Sequence, residues 1–182
     1  MKRALLIVDL QNDFLPGGAL PAPQGRKTVP VINELLPKFD LVVASKDWHP
    51  ERTVHFDKWT VHCVHDTSGA AFPEELNSLH IDLEIFKGTN DNDDGYSAFE
   101  ATNINLKEYL QSNGVNELHV VGIATEYCVK NSVLDSLKAG FKTLVIRDGV
   151  AGVCTAPGDE DKAWQEMVDA GATLLYSVDF FE

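Results

Sequence analysis

Residues 118–129 read Leu-His-Val-Val-Gly-Ile-Ala-Thr-Glu-Tyr-Cys-Val, and they predict a buried strand that turns directly into a helix. The apolar, β-branched start is typical of a parallel strand covered on both faces. Gly122 and Ala124 then permit a tight turn, and Thr125 is a favourable N-cap for the helix. Gly140 is placed to end that helix, after apolar residues at helical spacing, namely Val129, Val133 and Leu137.

Cys128 falls in the first turn of this predicted helix, near free backbone N–H groups and the positive end of the helix dipole. A thiol in that position is biased toward the thiolate, the form that attacks carbonyl carbons. The same N–H groups can hold an oxyanion. The alternative is a structural cysteine, because cysteine is among the residue types most often buried. This stretch alone does not decide between the two.

The overall composition indicates one compact domain, residues 1–182, with a sizeable core. The chain has 182 residues, of which 44% are hydrophobic. We expect no membrane span and no secretory leader, because the opening apolar run is short and ends in Asp9. Three cysteines are too few for a disulfide framework, so we expect a cytoplasmic protein. The net charge of −13 argues against nucleic acid and anionic membranes as partners.

Short apolar runs alternate with segments of helical spacing along the whole chain. The strand-like runs are 5–8, 41–44, 85–86, 118–121, 143–146 and 174–176. Helical spacing lies between them, at residues 31–36, 106–110, 129–137 and 163–168. This alternation predicts an α/β fold, a doubly wound open parallel sheet of about six strands with helices on both faces. In such a sheet the carboxyl ends of the strands share one edge, where ligands bind.

Three reactive side chains follow separate predicted strands, and we expect them to meet at that edge. Asp9 ends the first strand, Lys87 ends the third, and Cys128 follows the fourth. A nucleophilic thiol needs a proton acceptor and a counter-charge, which Asp9 and Lys87 can supply. The alternative for Asp9 and Lys87 is a salt bridge at the sheet edge, but a helix-capped cysteine beside them favours catalysis.

A candidate metal site follows the second predicted strand. Asp47 and His49 are two residues apart, so in an extended segment their side chains point the same way. A third ligand can come from His55, His62 or His65. Two histidines and one carboxylate with open positions suit Zn(II), Fe(II) or Mn(II).

Residues 89–95, Thr-Asn-Asp-Asn-Asp-Asp-Gly, have some likeness to a calcium-binding loop. The closing position, where such a loop needs an acidic residue, is Ala101. We therefore expect a solvated loop without calcium.

Aromatic residues near the site can line a pocket, although such residues usually serve packing. The candidates are Phe14, Trp59 and Tyr96. Cys63 lies beside the apolar Val64, and we expect it to be a packed thiol rather than a metal ligand.

Eight segments, in order along nearly the whole chain, carry motifs that are specific when taken together. They are residues 8–14, 16–20, 47–50, 62–64, 87–88, 96–99, 122–129 and 147–148. Most weight falls on Asp-Trp-His-Pro at 47–50 and Ala-Thr-Glu-Tyr-Cys-Val at 124–129. In these motifs the chain resembles the nicotinamidases of the isochorismatase-like cysteine hydrolases.

This resemblance implies an amidase that converts nicotinamide and water to nicotinate and ammonia in NAD salvage, and that also accepts pyrazinamide. It implies Cys128 as the nucleophile, Asp9 as the general base and acid, and Lys87 as the third member of the triad. The backbone N–H groups of Ala124 and Cys128 would form the oxyanion hole, with a cis peptide bond between Ile123 and Ala124.

The resemblance also implies a site for one divalent metal ion, formed by Asp47, His49 and His62, which would hold the pyridine nitrogen. We expect zinc, with iron and manganese as alternatives. Members of this family often form dimers or larger assemblies, so the resemblance leaves room for a homo-oligomer.

The chain departs from the family pattern at two places near the third metal ligand. The usual Trp-Pro before His62 is replaced by Trp-Thr-Val at 59–61, and Thr53 stands where a histidine is common. His55 or His65 can therefore displace His62 or add a ligand.

Three other functions compete with this interpretation. One is a related cysteine hydrolase that acts on another small amide or carbamoyl compound. The second is a non-catalytic metal-binding or ligand-binding protein with the same sheet. The third is hydrolysis by a metal-bound hydroxide, with Cys128 as a bystander.

Overall fold

The architecture is a six-stranded parallel sheet, seen here in a computed structural model that describes residues 2–180. The ends of the predicted 1–182 domain lie outside these residues. The strands are β1 (Lys2–Val8), β2 (Leu41–Asp47), β3 (Leu83–Lys87), β4 (Val115–Ile123), β5 (Lys142–Ala151) and β6 (Thr173–Leu175). Their order across the sheet is β3-β2-β1-β4-β5-β6, and every neighbouring pair is parallel. The predicted α/β fold is confirmed.

Four helices cover the two faces of the sheet: α1 (Thr28–Leu35), α2 (Leu106–Ser112), α3 (Lys130–Lys138) and α4 (Asp159–Asp169). Helix α1 packs on one face with the odd-numbered strand residues Leu5 and Ile7. Helices α2, α3 and α4 pack on the other face, with Leu6 and Val8. Successive side chains of a strand point to opposite faces, so one continuous apolar run supplies both cores.

No helix within residues 2–180 is both long enough and apolar enough to cross a lipid bilayer.

The chain direction across the sheet reverses between β1 and β4, and this switch point is where ligands bind in doubly wound sheets. The two strands come unusually close at Gly122, whose φ is 116°. A Cβ at this position would lie 2.0 Å from the carbonyl oxygen of Val8. Only glycine fits there, because both the backbone conformation and the distance exclude a side chain.

The turn between β4 and α3 differs from the prediction. Residues Thr125–Val129 form a wide helical turn, in which the N–H of Val129 bonds to the carbonyl oxygen of Ala124, five residues earlier. Thr125 does not cap it, because its hydroxyl group donates to Glu160 at 2.8 Å. The N-cap prediction was therefore wrong. The predicted end of the helix is confirmed, since Gly140 has a φ of 94° just after α3.

Candidate active site

The three side chains predicted for catalysis meet around the ammonium group of Lys87. Its Nζ atom lies 2.7 Å from Oδ2 of Asp9, 2.5 Å from Oδ1 of Asp47 and 3.4 Å from Sγ of Cys128. It also donates to the carbonyl oxygen of Gly95 at 2.6 Å. The side chains of Lys87 and Asp9 are completely buried. One ammonium group therefore contacts two carboxylates and one thiol; the contacts with Asp9 and Cys128 were predicted from the strand ends, and the contact with Asp47 was not.

Two buried polar residues hold the acids of this site in place. Asp9 follows β1 with a φ of 46°, and its Oδ1 accepts a hydrogen bond from the Ser45 hydroxyl at 2.7 Å. Gln11 donates to the carbonyl oxygen of Asp47 at 2.8 Å and accepts from its N–H at 2.9 Å. No role was predicted for Ser45 or Gln11. Both lie close in sequence to the strand ends that carry Asp9 and Asp47, and this position could have identified them as partners of these acids.

Burial and charge act against each other on the ionisable groups of this site. Burial disfavours the ammonium form of Lys87, but the charges of Asp47 and Asp9 outweigh it and raise the pKa of Lys87 well above its usual value. Burial is also the largest influence on Asp47 and disfavours its carboxylate, yet Lys87 together with His49 and His62 outweighs burial, so the pKa of Asp47 lies well below its usual value. Burial raises the pKa of Asp9, and Lys87 opposes that shift. Asp9 is thus a stronger base than an exposed aspartate.

The predicted bias of Cys128 toward the thiolate is wrong for the resting site. Burial raises the pKa of the Cys128 thiol well above its usual value, and the Lys87 ammonium only partly opposes this. One oxygen each from Asp9 and Asp47 lies within 4.8 Å of Sγ, so negative charge on the sulfur is disfavoured further. The thiol therefore carries its proton until a base removes it.

The peptide bond between Ile123 and Ala124 is cis, which confirms an expectation from the family resemblance. The Ala124 carbonyl oxygen accepts hydrogen bonds from the N–H groups of Tyr127 and Val129, both at 3.1 Å. Ala124 and Cys128 line the same pocket. The role of their N–H groups as an oxyanion hole stays a prediction.

Three buried histidines form a cluster beside Asp47. One ring nitrogen from each of His49, His55 and His62 lies within 4.8 Å of the others. In all three rings Nδ1 is already paired with an oxygen: the Gly88 carbonyl for His49 at 2.9 Å, Asp93 for His55 at 3.1 Å, and the Thr60 carbonyl for His62 at 2.6 Å. This leaves Nε2 of each ring as the nitrogen that faces the cluster.

The donor set fits a divalent metal ion. Nε2 of His49 is buried and has no hydrogen-bond partner among residues 2–180. Oδ2 of Asp47 lies 3.5 Å from that atom and 3.6 Å from Nε2 of His62. A cation among these atoms would satisfy all of them at once. The predicted set of Asp47, His49 and His62 is thus brought together.

The two additional imidazoles have different positions. His55 joins the cluster, with its ring stacked on that of His49 at a centroid distance of 4.5 Å. His65 is half-exposed, and its Nδ1 pairs with the neighbouring Asp66 at 2.8 Å, so it is not part of the cluster. Sequence spacing could not separate the two, because His55 lies in a short 3₁₀ helix, Val54–Asp57, and His65 in an irregular segment, neither of which has a clear sequence pattern.

A pocket opens between the histidine cluster and Cys128. Phe14, Trp59 and Tyr96, the predicted aromatic residues, all line it. Its other lining residues are Leu20, Asp47, His55, His62, Gly95, Ile123, Ala124, Tyr127, Cys128 and Val153. Leu20, Tyr127 and Val153 were not predicted to line the pocket. Leu20 and Tyr127 lie within the motifs of the family resemblance, whereas Val153 lies outside them, and nothing in the sequence indicated its position.

A second cysteine near the site, Cys63, is a packed thiol, as predicted. Cys63 is completely buried, and its N–H donates to Oδ2 of Asp13 at 2.7 Å. Burial raises the pKa of its thiol well above the usual value, so it remains a neutral, packed group.

Comparison with known proteins places the chain in one family and finds similar amidases. The family model described as "Isochorismatase domain" matches residues 3–178. A nicotinamidase of Escherichia coli (strain K12) is 40% identical to this chain. The alignment, 207 residues long with its gaps, covers 99% of this chain and 97% of that protein.

Two solved structures share both fold and sequence with the chain. The pyrazinamidase of Pyrococcus horikoshii, in complex with zinc, has a TM-score of 0.85 and 41% identity, and the match covers 97% of this chain and 99% of that one. PnC1 from L. infantum, in complex with nicotinate, has a TM-score of 0.91 and 34% identity, with coverage of 97% and 93%.

Proposed function

Because this chain belongs to the isochorismatase family, we propose that it hydrolyses nicotinamide to nicotinate and ammonia, as an amidase acting on a carbon–nitrogen bond. The observation that carries this proposal is the contact of one ammonium group, Lys87, with Asp9 and with the Cys128 sulfur. The similarity to a nicotinamidase and to a structure that contains nicotinate supports the choice of substrate. Pyrazinamide, a close analogue, is expected to be accepted as well.

In the proposed first step, Asp9 removes the proton of the Cys128 thiol while the sulfur attacks the amide carbon. The raised pKa of Asp9 suits it to accept this proton, and Lys87 stabilises the negative charge that develops nearby. The carbon–nitrogen bond then breaks, and Asp9 returns the proton to the departing nitrogen, which leaves as ammonia. A thioester between Cys128 and the nicotinoyl group remains.

In the proposed second step, a water molecule gives a proton to Asp9 and attacks the thioester carbon. The carbon–sulfur bond breaks, Asp9 returns its proton to the Cys128 sulfur, and the product leaves as nicotinic acid, which ionises to nicotinate in water. In both steps we assign the backbone N–H groups of Ala124 and Cys128 to the oxyanion that forms on the amide carbonyl.

We assign the metal site to Asp47, His49 and His62, with His55 as a further ligand. When bound there, a divalent ion would supply a Lewis-acid contact to the ring nitrogen of the substrate and thereby orient the ring. Zinc is our first choice, because two or more imidazoles with a carboxylate suit it and a similar pyrazinamidase has been solved with zinc. Iron and manganese are the alternatives.

Phe14, Trp59 and Tyr96 are proposed to bind the pyridine ring. They line the pocket between the two groups that would hold the ends of the substrate, the histidine cluster and Cys128. An apolar, aromatic pocket with a few polar groups at fixed positions is typical of small-molecule sites.

We propose a cytoplasmic location and a role in NAD salvage. Cys63, Cys128 and Cys154 are all free, which supports a reducing compartment. That the chain forms a single domain, and that it forms a homo-oligomer, stay predictions.

The proposed function is tested by an ammonia-release assay with nicotinamide, run with and without added Zn²⁺, Fe²⁺ or Mn²⁺. Replacement of the nucleophile, Cys128→Ala, should lower the rate by about 10³-fold or more. The matched control is Cys154→Ala, because Cys154 is also a free thiol but is exposed. Rapid-quench mass spectrometry should find a nicotinoyl adduct on Cys128. Full activity of Cys128→Ala would exclude the thiol mechanism, and turnover of other amides but not nicotinamide would favour a related amidase.

A further inference from the structure

The acidic loop at residues 89–95, which lacks the closing acid of a calcium loop, is bonded to the segment that carries His55. Oδ1 of Asp91 accepts a hydrogen bond from the N–H of Val54 at 2.7 Å. Asp93 also contacts this segment, through His55 and Lys58. Two acids of this loop, Asp91 and Asp93, therefore serve contacts within the protein.

The Asp93 carboxylate links three side chains that line the pocket, two directly and one through a second hydrogen bond. Its Oδ1 accepts hydrogen bonds from the Tyr96 hydroxyl at 2.6 Å and from Nδ1 of His55 at 3.1 Å. The Tyr96 oxygen in turn accepts from Nε1 of Trp59 at 3.0 Å. The other oxygen, Oδ2, contacts the ammonium group of Lys58. One acid thus links a histidine of the cluster to two of the aromatic pocket residues.

The bond to His55 fixes the orientation of its ring. A carboxylate that accepts the Nδ1 proton keeps Nε2 unprotonated and directs it toward the other side of the ring, where His49 and His62 lie. The bonds through Tyr96 fix the aromatic wall. Without Asp93, the Tyr96 hydroxyl and the Trp59 N–H would keep only each other as partners.

We propose that Asp93 is a positioning residue that sets both the cation affinity of the histidine cluster and the shape of the aromatic pocket wall. This inference rests on the proposed function and deepens it, because it explains how the cation and the substrate ring are bound as one unit. Asp93 touches neither the reacting carbon nor the sulfur, so it acts through His55, Trp59 and Tyr96.

The loop offers a matched control one residue away. Asp94 has the same charge and is partly buried, but it makes no hydrogen bond or ion pair with any residue from 2 to 180. Asp93→Ala removes the contacts of the Asp93 carboxylate with His55, Tyr96 and Lys58. Asp93→Asn keeps one oxygen that can accept from Tyr96 and His55, but it loses the charge and the second oxygen, which contacts Lys58, so its effects should be intermediate.

The first measurement is zinc affinity, which does not depend on catalysis. Zinc-loaded protein is titrated with a chromogenic chelator of known affinity, without substrate. We expect Asp93→Ala to bind zinc about 10- to 100-fold more weakly than the wild type, the effect typical of losing the carboxylate partner of a metal-bound histidine. Asp94→Ala should differ from the wild type by less than about twofold.

The second measurement is the steady-state kinetics of nicotinamide hydrolysis at saturating zinc. We expect KM to rise about tenfold in Asp93→Ala with a smaller change in kcat, because the pocket wall loosens while Cys128, Asp9 and Lys87 keep their contacts. Circular dichroism and thermal unfolding establish that each variant is folded, and Asp93→Asn provides the test if Asp93→Ala is not.

The proposal is overturned if either zinc affinity or KM stays at the wild-type value in the folded Asp93 variants, or if Asp94→Ala changes both to the same extent. A wild-type protein that binds zinc but releases no ammonia from nicotinamide would refute the proposed function, while the zinc titration would still decide the role of Asp93. A wild-type protein that hydrolyses nicotinamide but binds none of Zn²⁺, Fe²⁺ and Mn²⁺ would overturn the proposal for Asp93 and leave the amidase function standing.

Discussion

Removal of the buried ammonium group, by the substitution Lys87→Met, gives the sharpest test of how this site is held together. Methionine keeps most of the length and apolar character of the lysine side chain but has no charge. The side chain is completely buried, and its ammonium group lies between Asp9 and Asp47 at 2.7 and 2.5 Å. The variant therefore leaves two carboxylates unpaired in a mostly buried site.

The expected cost follows from that geometry. Removing one partner of a buried ion pair destabilises a protein by about 3–5 kcal/mol, because the remaining charge is left without compensation. For a chain of this size, each kcal/mol lowers the melting temperature by about 2–4 °C, so we expect a decrease of roughly 6–20 °C at pH 8. Two carboxylates share the lost partner, which favours the upper part of this range.

The loss of stability should also depend on pH, with a sign opposite to that in the wild type. In the wild type Lys87 lowers the pKa of Asp47, so this contribution to stability is present at neutral pH and is lost as the pH falls through the lowered pKa. In Lys87→Met the folded carboxylates bind protons more readily than the unfolded ones. The deficit should therefore shrink as the pH falls from 8 to 5.

The measurement is urea unfolding of chelator-treated wild type and variant at pH 8 and pH 5, so that no bound cation replaces the lysine charge. An unchanged m-value shows that the same surface is exposed on unfolding. The control is Lys138→Met, because Lys138 pairs with Asp135 on the surface and should matter by less than about 0.5 kcal/mol. A free energy of unfolding within about 1 kcal/mol of the wild type at pH 8 would refute the reasoning.

Three further predictions concern the close contacts and the metal site. Gly122→Ala should destabilise the fold by about 3 kcal/mol or more in urea unfolding, because its Cβ would meet the carbonyl oxygen of Val8 at 2.0 Å. Gly158→Ala, also at positive φ but with nothing within 4 Å, should cost only about 1 kcal/mol, and equal losses would contradict the steric argument. Gly88→Ala should weaken zinc binding about tenfold or more in a chelator titration, since its Cβ would lie 2.5 Å from Cε1 of His49. Chelator treatment should abolish nicotinamide turnover and added zinc should restore it; full activity without metal would exclude the metal-anchored mechanism.

The order of strands and helices could be predicted from the sequence, because both signals are local. The apolar run at 118–121 and the helical spacing after it reflect burial on both faces of a parallel sheet, and they are confirmed by β4 and α3. The convergence of Asp9, Lys87 and Cys128 could also be predicted, since parallel strands place their carboxyl ends on one edge.

The turn and the charge state of the nucleophile could not be predicted in this way. Thr125 is a favourable N-cap residue at the expected position, but its hydroxyl group donates a hydrogen bond to Glu160, which is far away in sequence, in helix α4. The helix-terminus argument for a Cys128 thiolate considered only local dipoles. Burial and two nearby carboxylates, all contributed by other segments, raise the pKa of the thiol instead.

By itself, then, the sequence determined which segments become strands and helices, and which reactive side chains lie at the active edge. Only the tertiary structure decided that His55 joins the metal cluster while His65 pairs with Asp66, and that Asp93 connects that cluster to the aromatic wall. The physical reason is that strand and helix patterns depend on neighbours within a few residues. Ligand sets, pKa values and hydrogen-bond partners depend on distances between segments that are far apart in the chain, and these distances exist only after folding.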